Sequence, residues 1–152
     1  IRIGLHSNAP ALFGKRDNML MEKIEKPPLI DQVFVAALNM NAPRPPQQYL
    51  ESYIQVLLRA AYEGSYLAAI KNRAKKLVLT LVGGGSFSNP ISCILDAILQ
   101  AHIKWAGHPQ SRLEEVLLPV YPIGGIIQEY DIVEELTKRM QGHTSVHIQR
   151  FR

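Results

Sequence analysis

Three consecutive glycines, Gly83 to Gly85, stand directly after the apolar run 77–82 and shortly before a helical pattern. Glycine adopts backbone conformations closed to other residues, and it lets the backbone approach a ligand closely. The free N–H groups of such a loop and of the first helical turn form a site for an anion such as phosphate. Loop 83–88 is therefore predicted to contact a ligand, with Asn89 as N-cap and Pro90 in the first helical position.

The loop departs from the two best-known phosphate-binding motifs. It has neither the Lys nor the following Ser/Thr of a Walker A loop, which excludes nucleoside triphosphate hydrolysis of that type. The dinucleotide fingerprint G-x-G-x-x-G is matched at Gly83 and Gly85, but Ser88 stands where the last glycine is needed. These departures indicate a phosphate-binding loop of another kind.

Ser86 lies in a context that differs by one residue from the nucleophile elbow G-x-S-x-G of α/β-hydrolases. Asp131, followed by His143 or His147, would supply the chain order of a catalytic triad. The final glycine of the elbow is Ser88, and both histidines lie near the chain's end. A serine hydrolase is therefore kept as an alternative.

Carboxylates and histidines elsewhere show little catalytic patterning. Asp17, Asp31 and Asp96 are isolated in the sequence, so no pair has the spacing of a general acid and base. His143 and His147 alone have a metal-like spacing, and we expect them to lie on the surface of a strand. No metal site is predicted.

An α/β pattern positions the loop. Patterns of apolar residues predict, in chain order, strand 1–5, helix 17–26, strand 29–38, helix 47–72, strand 77–82, helix 91–105, strand 115–121, helix 132–140 and strand 145–149. Run 29–38 has the near-continuous apolar character of a strand buried on both faces of a parallel sheet. Pro119 favours an edge position or a bulge, and Asp131 is the expected N-cap of the last helix. The alternation predicts an α/β fold with a mainly parallel sheet, whose ligands bind at the carboxyl ends of the strands.

Composition is that of one ordinary globular domain of 152 residues, with 47% hydrophobic and 20% charged residues. The net charge of +4 is scattered except at Lys71, Arg73, Lys75 and Lys76, so nucleic acid is not the expected partner. The single Cys93 excludes an internal disulfide and is expected in the core. No apolar run reaches the roughly 18 residues of a membrane span, and no signal peptide is visible. These features predict a soluble protein in an intracellular environment, without membrane partners.

Residues 57–105 resemble the second half of a macrodomain, the ADP-ribose-binding module. Helix LRAAYEGSYLAA (58–69), strand KLVLTL (76–81) and loop VGGGSFSNP (82–90) follow one another in the order of that family. Strands 33–39 and 115–121 stand where the family has two further strands. The resemblance covers about residues 33–140 and is stronger in element order than in identity.

Departures from the family are specific. Gly83 and Gly84 replace its usual Ser-Thr pair, and Ser88 replaces a glycine. The family's first half carries an adenine-binding Asp, an Asn-Ala-Ala motif and a separate glycine-rich loop, and residues 1–28 show no counterpart. The domain is therefore expected to span 1–152 with a diverged or missing N-terminal part and a tail at 141–152.

The resemblance implies a three-layer α/β/α fold and assigns roles to single residues. The loop Gly83 to Ser88 would bind the ligand, with 84–86 on the diphosphate of ADP-ribose and Phe87 packed on the distal ribose. Asn39 would lie near the crevice, and Tyr121 or a residue just after it would lie near the adenine. No cofactor beyond this ligand is implied.

The implied function is binding of ADP-ribose or of ADP-ribosylated protein, together with hydrolysis of the glycosidic or ester bond to ADP-ribose. In the hydrolase, Asp17 or Asp31 would activate or position water for attack at the anomeric carbon. A non-catalytic reader would use the same pocket without a positioned base. Another phosphate- or nucleotide-binding α/β enzyme is the remaining alternative.

Overall fold

The computed structural model describes residues 1–15, 21–42, 46–119, 129–140, 142–143 and 146–150. Its backbone contacts divide the chain into two compact units. The N-terminal unit comprises Arg2–Phe34, and the second unit comprises Val35–Arg152 together with Ile1. The glycine loop belongs to the second unit.

The N-terminal unit consists of two short antiparallel ladders. Strand β1 (Gly4–Pro10) pairs with β4 (Leu29–Phe34), and β2 (Phe13–Lys15) pairs with β3 (Met21–Lys23). The predicted helix 17–26 is therefore wrong at 21–23, while residues 16–20 lie outside the described residues.

Strand β4 corrects the prediction for run 29–38. It ends at Phe34 and pairs antiparallel with β1, and most of its side chains are exposed. Leu29, for example, keeps 64% of its surface exposed. The apolar run indicated burial between helices, but no helix is present among the described residues of this unit to cover the strand.

Three helices form in the described part of the second unit. They are α1 (Gln47–Lys71), α2 (Ile91–Trp105) and α3 (Glu129–Met140), and α2 packs against both of the others. The first two match the predicted helices closely. Asp131 lies inside the first turn of α3 rather than capping it, because the helix begins three residues earlier than predicted. Within the described chain, no helix is long and apolar enough to cross a membrane.

The three helices pack against a parallel sheet. Strands β5 (Lys76–Val78), β6 (Glu115–Leu118) and β7 (Ile148–Arg150) pair in that order. The prediction that Pro119 marks an edge strand or a bulge is wrong, because β6 is the middle strand and ends at Leu118. Proline cannot donate to the ladder, so here it ends the strand.

One face of this sheet faces the helices. Leu77, Val116 and Ile148 share a row across the three strands, and all belong to the buried core formed with α1, α2 and α3. On the other face, Val78 is 56% exposed and Gln149 is exposed. The predicted α/β class with a parallel sheet is confirmed, and the described residues account for two layers of the second unit.

A buried hydrogen-bonded histidine joins α1, α2 and the segment leading into β7. His102 Nε2 lies 2.7 Å from the Val146 carbonyl oxygen, and Nδ1 lies 2.6 Å from the Tyr66 hydroxyl. A carbonyl oxygen only accepts, so Nε2 carries the proton and Nδ1 accepts from Tyr66. Burial lowers the pKa of His102 and raises that of Tyr66, and both causes favour the neutral forms that this arrangement needs.

We expect the free energy of unfolding to fall as the pH is lowered from about 7 to about 5. The unfolded chain binds a proton at His102 near pH 6.5, whereas burial and neighbouring His147 hold the folded pKa lower. The stability is therefore complete above pH 6.5 and is lost below it, by at most about 1.4 kcal/mol per pH unit.

Urea unfolding at a series of pH values measures this slope. His102→Gln should flatten it, and His143→Gln, at an exposed position, should leave it unchanged. An identical slope in wild type and His102→Gln would show that His102 does not cause the pH dependence.

Candidate functional site

The glycine loop leaves the carboxyl end of β5 and enters α2. The ladder continues one residue beyond β5, where the Leu79 N–H donates to the Leu117 carbonyl at 2.8 Å. Tyr62 of α1 then fixes the base of the loop, because its hydroxyl donates to the Thr80 carbonyl at 2.8 Å and accepts from the Val82 N–H at 3.0 Å. Burial raises the pKa of Tyr62, which keeps the donating phenol neutral. The loop therefore starts from a rigid point at the strand edge where parallel sheets bind ligands.

The three glycines have different surroundings. Gly83 has φ of +80°, and a Cβ there would lie 2.8 Å from Ala37 Cβ and 2.7 Å from Asn89 Nδ2. A Cβ at Gly84 would lie 3.2 Å from Ile94 Cδ1. A Cβ on Gly85 would meet nothing within 4 Å. The first glycine is thus required by backbone and space, whereas the third faces an open region that a ligand can enter.

Asn89 holds the loop closed from inside. Its Nδ2 donates to the carbonyl oxygens of Leu38 at 2.7 Å and of Gly83 and Phe87 at 3.3 Å each, and the side chain is only 5% exposed. Its backbone N–H also donates to the Gly83 carbonyl at 2.9 Å. The predicted N-cap role is wrong, because Pro90 occupies the N-cap and Ile91 begins the helix. The amide nitrogen is thus engaged by carbonyl oxygens, whereas Oδ1 is buried and has no hydrogen-bond partner among the described residues.

Residues 38–41, here named the brace segment, run beside the loop. Asn41 Nδ2 donates to the Ser86 carbonyl at 2.6 Å and to Ser88 Oγ at 3.2 Å. The Asn41 N–H donates in turn to Asn39 Oδ1 at 3.0 Å, which orders the segment locally. Ser88 has φ of +54°, in the left-handed region, and the hydrogen bond from Asn41 Nδ2 to its Oγ stabilises this conformation.

The carbonyl oxygens and the N–H groups of the loop differ in their hydrogen bonding. The Gly85 carbonyl accepts from the Ser88 N–H, and the Phe87 carbonyl accepts from the Met40 N–H of the brace segment, both at 2.9 Å. By contrast, the N–H groups of residues 85–87 donate to no acceptor in the part of the chain that the structure describes. Three successive donors are therefore left for a ligand, while the carbonyls are bound within the protein.

The charges around these donors favour an anion. Residues 82–90 and 37–42 contain no charged side chain, and the first turn of α2 contains no acidic residue. The positive end of the α2 dipole is therefore uncompensated locally. The side chains of Ser86 and Ser88 are exposed, and Phe87 is 41% exposed, so its ring is accessible beside the donors.

The other predicted site residues divide into three groups. Asn39 lies in the brace segment, where its Oδ1 accepts from the Asn41 N–H. Asp31 lies on β4 in the N-terminal unit, where Oδ1 accepts from the Asn8 N–H at 3.0 Å. Asp17 and Tyr121 lie outside the described residues.

Sequence reasoning missed Asn41 and Tyr62, and it gave Asn89 the wrong role. A signal for Asn41 was present in the triplet Asn39-Met40-Asn41, two amides at the end of an apolar run. Asn89 was recognisable as a loop-closing amide only from its contact with residue 38, which is 51 residues away.

Other chemistry finds less support at the loop. In the described residues no histidine hydrogen-bonds to Ser86, and no group of three or more His, Cys, Asp or Glu side chains is placed to hold a metal ion. His143 and His147 are both exposed. What remains is a neutral loop, braced by residues 38–41, whose N–H groups at 85–87 have no acceptor in the described part of the chain. No protein-family model, curated protein or solved structure matches the chain.

Proposed function

We propose that this chain binds ADP-ribose, free or attached to a protein, with the diphosphate on the N–H groups of residues 85–87. The single observation that carries the proposal is that these donors meet no acceptor among the described residues, while the carbonyls of Gly85, Ser86 and Phe87 are bound within the protein. A diphosphate offers several acceptor oxygens spaced along a short chain, which suits successive backbone donors.

The neutral donors favour a diphosphate diester over more highly charged groups. Each phosphate of ADP-ribose carries one charge, and backbone dipoles with a helix N-terminus balance such a charge without a Lys or Arg. The exposed ring of Phe87 supports the second part of the proposal, in which an aromatic face packs on the distal ribose. Asn39, beside the loop, supports a crevice that extends along the brace segment.

A macrodomain-like fold with three layers belongs to the same proposal. The parallel order β5-β6-β7, with α2 and α3 as crossovers, is consistent with the second half of such a fold. A further layer would have to cover the face of the sheet that carries Val78.

The geometry supports binding further than hydrolysis. Hydrolysis needs a carboxylate that positions water near the anomeric carbon. No acidic residue belongs to segments 37–42 or 82–90. Binding without hydrolysis is therefore the simpler form of the proposal. Hydrolysis that depends on Asp17 or Asp31 is a separate question, which is tested after binding.

The Gly85→Glu variant is expected to bind ADP-ribose at least about tenfold more weakly than wild type. A side chain at this position enters open space, so the fold is retained, while its carboxylate competes for the free N–H groups and repels the diphosphate. Isothermal titration calorimetry with ADP-ribose measures the change. Gly85→Ala is the matched control and should bind within about threefold of wild type.

Two results would count against this proposal. Equal binding of ADP-ribose by wild type and Gly85→Glu would place the ligand elsewhere. Equal affinity for inorganic phosphate and ADP-ribose would favour a general phosphate site. If ADP-ribose binds, release of ADP-ribose from a modified protein, compared in Asp17→Asn and Asp31→Asn, separates a hydrolase from a reader.

A further inference from the structure

A cleft lies between α1 and α2 and shares no lining residue with the glycine loop or the brace segment. Its volume is about 140 Å³. At about 30 Å³ per water molecule, this is space for four or five waters or for a small organic group. The lining residues are Gln55, Arg59, Cys93, Asp96, Ala97 and Gln100.

Arg59 is the one positively charged residue among those that line the cleft. It makes no hydrogen bond or ion pair with any residue that the structure describes. Glu63, one turn along α1, is already engaged by Lys104 at 2.8 Å and by Trp105 Nε1 at 3.1 Å. These contacts, led by the Lys104 hydrogen bond, lower the pKa of Glu63, and the charge of Arg59 acts in the same direction without a hydrogen bond between the two side chains. The guanidinium donors of Arg59 therefore remain for a ligand.

The acidic wall of the cleft limits the charge of that ligand. Asp96 is bound by Arg139 of α3 at 2.6 Å, and Arg139 also lies 3.8 Å from Glu135. The ion pair with Arg139 thus holds the Asp96 carboxylate in position, and its negative charge lines the cleft. A dianion such as phosphate is disfavoured there, whereas a single carboxylate can pair with the planar guanidinium.

We propose that the cleft between α1 and α2 binds a small monocarboxylate, with Arg59 as the group that holds the carboxylate. Gln100 supplies a neutral amide that hydrogen-bonds polar atoms of the ligand, and Ala97 supplies an apolar contact surface. This site acts independently of ADP-ribose binding at the glycine loop.

Cys93 provides a direct probe, because it lines the cleft and is the one cysteine in the sequence. Iodoacetate is itself a small carboxylate, and iodoacetamide is its neutral analogue. In either reaction the Cys93 sulfur, having lost its proton to the buffer, bonds to the reagent's methylene carbon while the carbon–iodine bond breaks and iodide leaves. Alkylation by iodoacetate therefore reports carboxylate binding in the cleft, and iodoacetamide reports the reactivity of the thiol alone.

We expect the iodoacetate rate of the wild-type chain to saturate with concentration and to be slowed by acetate. In Arg59→Gln the saturation should disappear and the rate should fall about tenfold relative to iodoacetamide, as for a lost hydrogen bond to a charged group. Arg112→Gln, at an exposed position outside the cleft, is the matched control and should keep the wild-type ratio. Mass spectrometry of the intact chain follows both reactions.

The ratio of the two rates separates binding from damage to the fold. A parallel change for both reagents in Arg59→Gln would mean altered access to Cys93 and would overturn the proposal. A linear iodoacetate rate in wild type, insensitive to acetate, would overturn it too. Failure of both reagents to label the folded chain would show that the cleft is closed to small molecules, which would likewise overturn the proposal.

Discussion

The Asn89→Asp variant is expected to lose about 4 kcal/mol of the free energy of unfolding at pH 7. The exchange preserves the size of the side chain but replaces the donor Nδ2 by a charged oxygen. Three carbonyl oxygens, those of Leu38, Gly83 and Phe87, would then face a carboxylate in a position that is 5% exposed. The Leu38 carbonyl loses its donor, whereas the Gly83 and Phe87 carbonyls keep the backbone N–H donors of Asn89 and Met40. The main cost is the charge, which is buried against these three carbonyl oxygens.

The sign of the pH dependence gives a second test of the same variant. Burial and the surrounding carbonyls should raise the pKa of the introduced carboxyl group above its unfolded value. The folded variant then binds the extra proton more readily, so its deficit relative to wild type should shrink as the pH falls from about 7 to about 4. Urea unfolding of wild type and Asn89→Asp at both pH values measures this difference in the free energy of unfolding.

Asn41→Ala is the matched control for this variant. Asn41 also donates to the loop, but from an exposed position, where water replaces the lost bond, so the expected loss is below about 1 kcal/mol. If Asn89→Asp were as stable as Asn41→Ala, the buried amide would not be what closes the loop.

Gly83→Ala is expected to cost about 3 kcal/mol of the free energy of unfolding. Part of the loss comes from φ of +80°, which is unfavourable for alanine, and part from a Cβ placed 2.8 Å from Ala37 Cβ and 2.7 Å from Asn89 Nδ2. Thermal and urea unfolding measure the change.

Gly85→Ala controls for the change of residue type two positions away. Its Cβ meets nothing within 4 Å, so its stability should stay within about 0.5 kcal/mol of wild type. In the double variant Ala37→Gly/Gly83→Ala, removal of the opposing methyl should restore part of the loss. Equal losses in the two single alanine variants would contradict the assigned difference between the glycines.

The sequence predicted best the elements that are determined by residues close together in the chain, which are the helices. Helix α2 runs from Ile91 to Trp105, as its apolar spacing indicates, and α1 differs from the prediction by one residue at its end. The prediction for run 29–38 failed because its pairing partner is β1, 19 to 30 residues earlier in the chain, and an apolar sequence does not reveal whether a helix covers the strand. Pro119 was predicted to lie inside an edge strand or at a bulge, but β6 is the middle strand and ends at Leu118, before the proline.

The candidate site was likewise predictable where it depends on neighbouring residues and not where it depends on distant ones. The glycine loop and its place between strand and helix were readable from the sequence, because glycine, apolar run and helical pattern are neighbours. The amides that close and brace the loop act across 45 to 51 residues, and no local pattern encodes such pairs. The role of Asn89 was misassigned for this reason, since a residue just before Pro90 is locally a good cap.

The brace segment has a consequence for the kinetics and entropy of binding. Because the loop's carbonyls are already tied to residues 38–41 and to Asn89, its ordering occurs during folding of the chain. A ligand then meets donors that need no rearrangement, so association should approach the rate of an unhindered encounter and lose little chain entropy. The backbone amides of residues 85–87 should exchange with solvent deuterium quickly in the free protein and slow sharply when a phosphate occupies them.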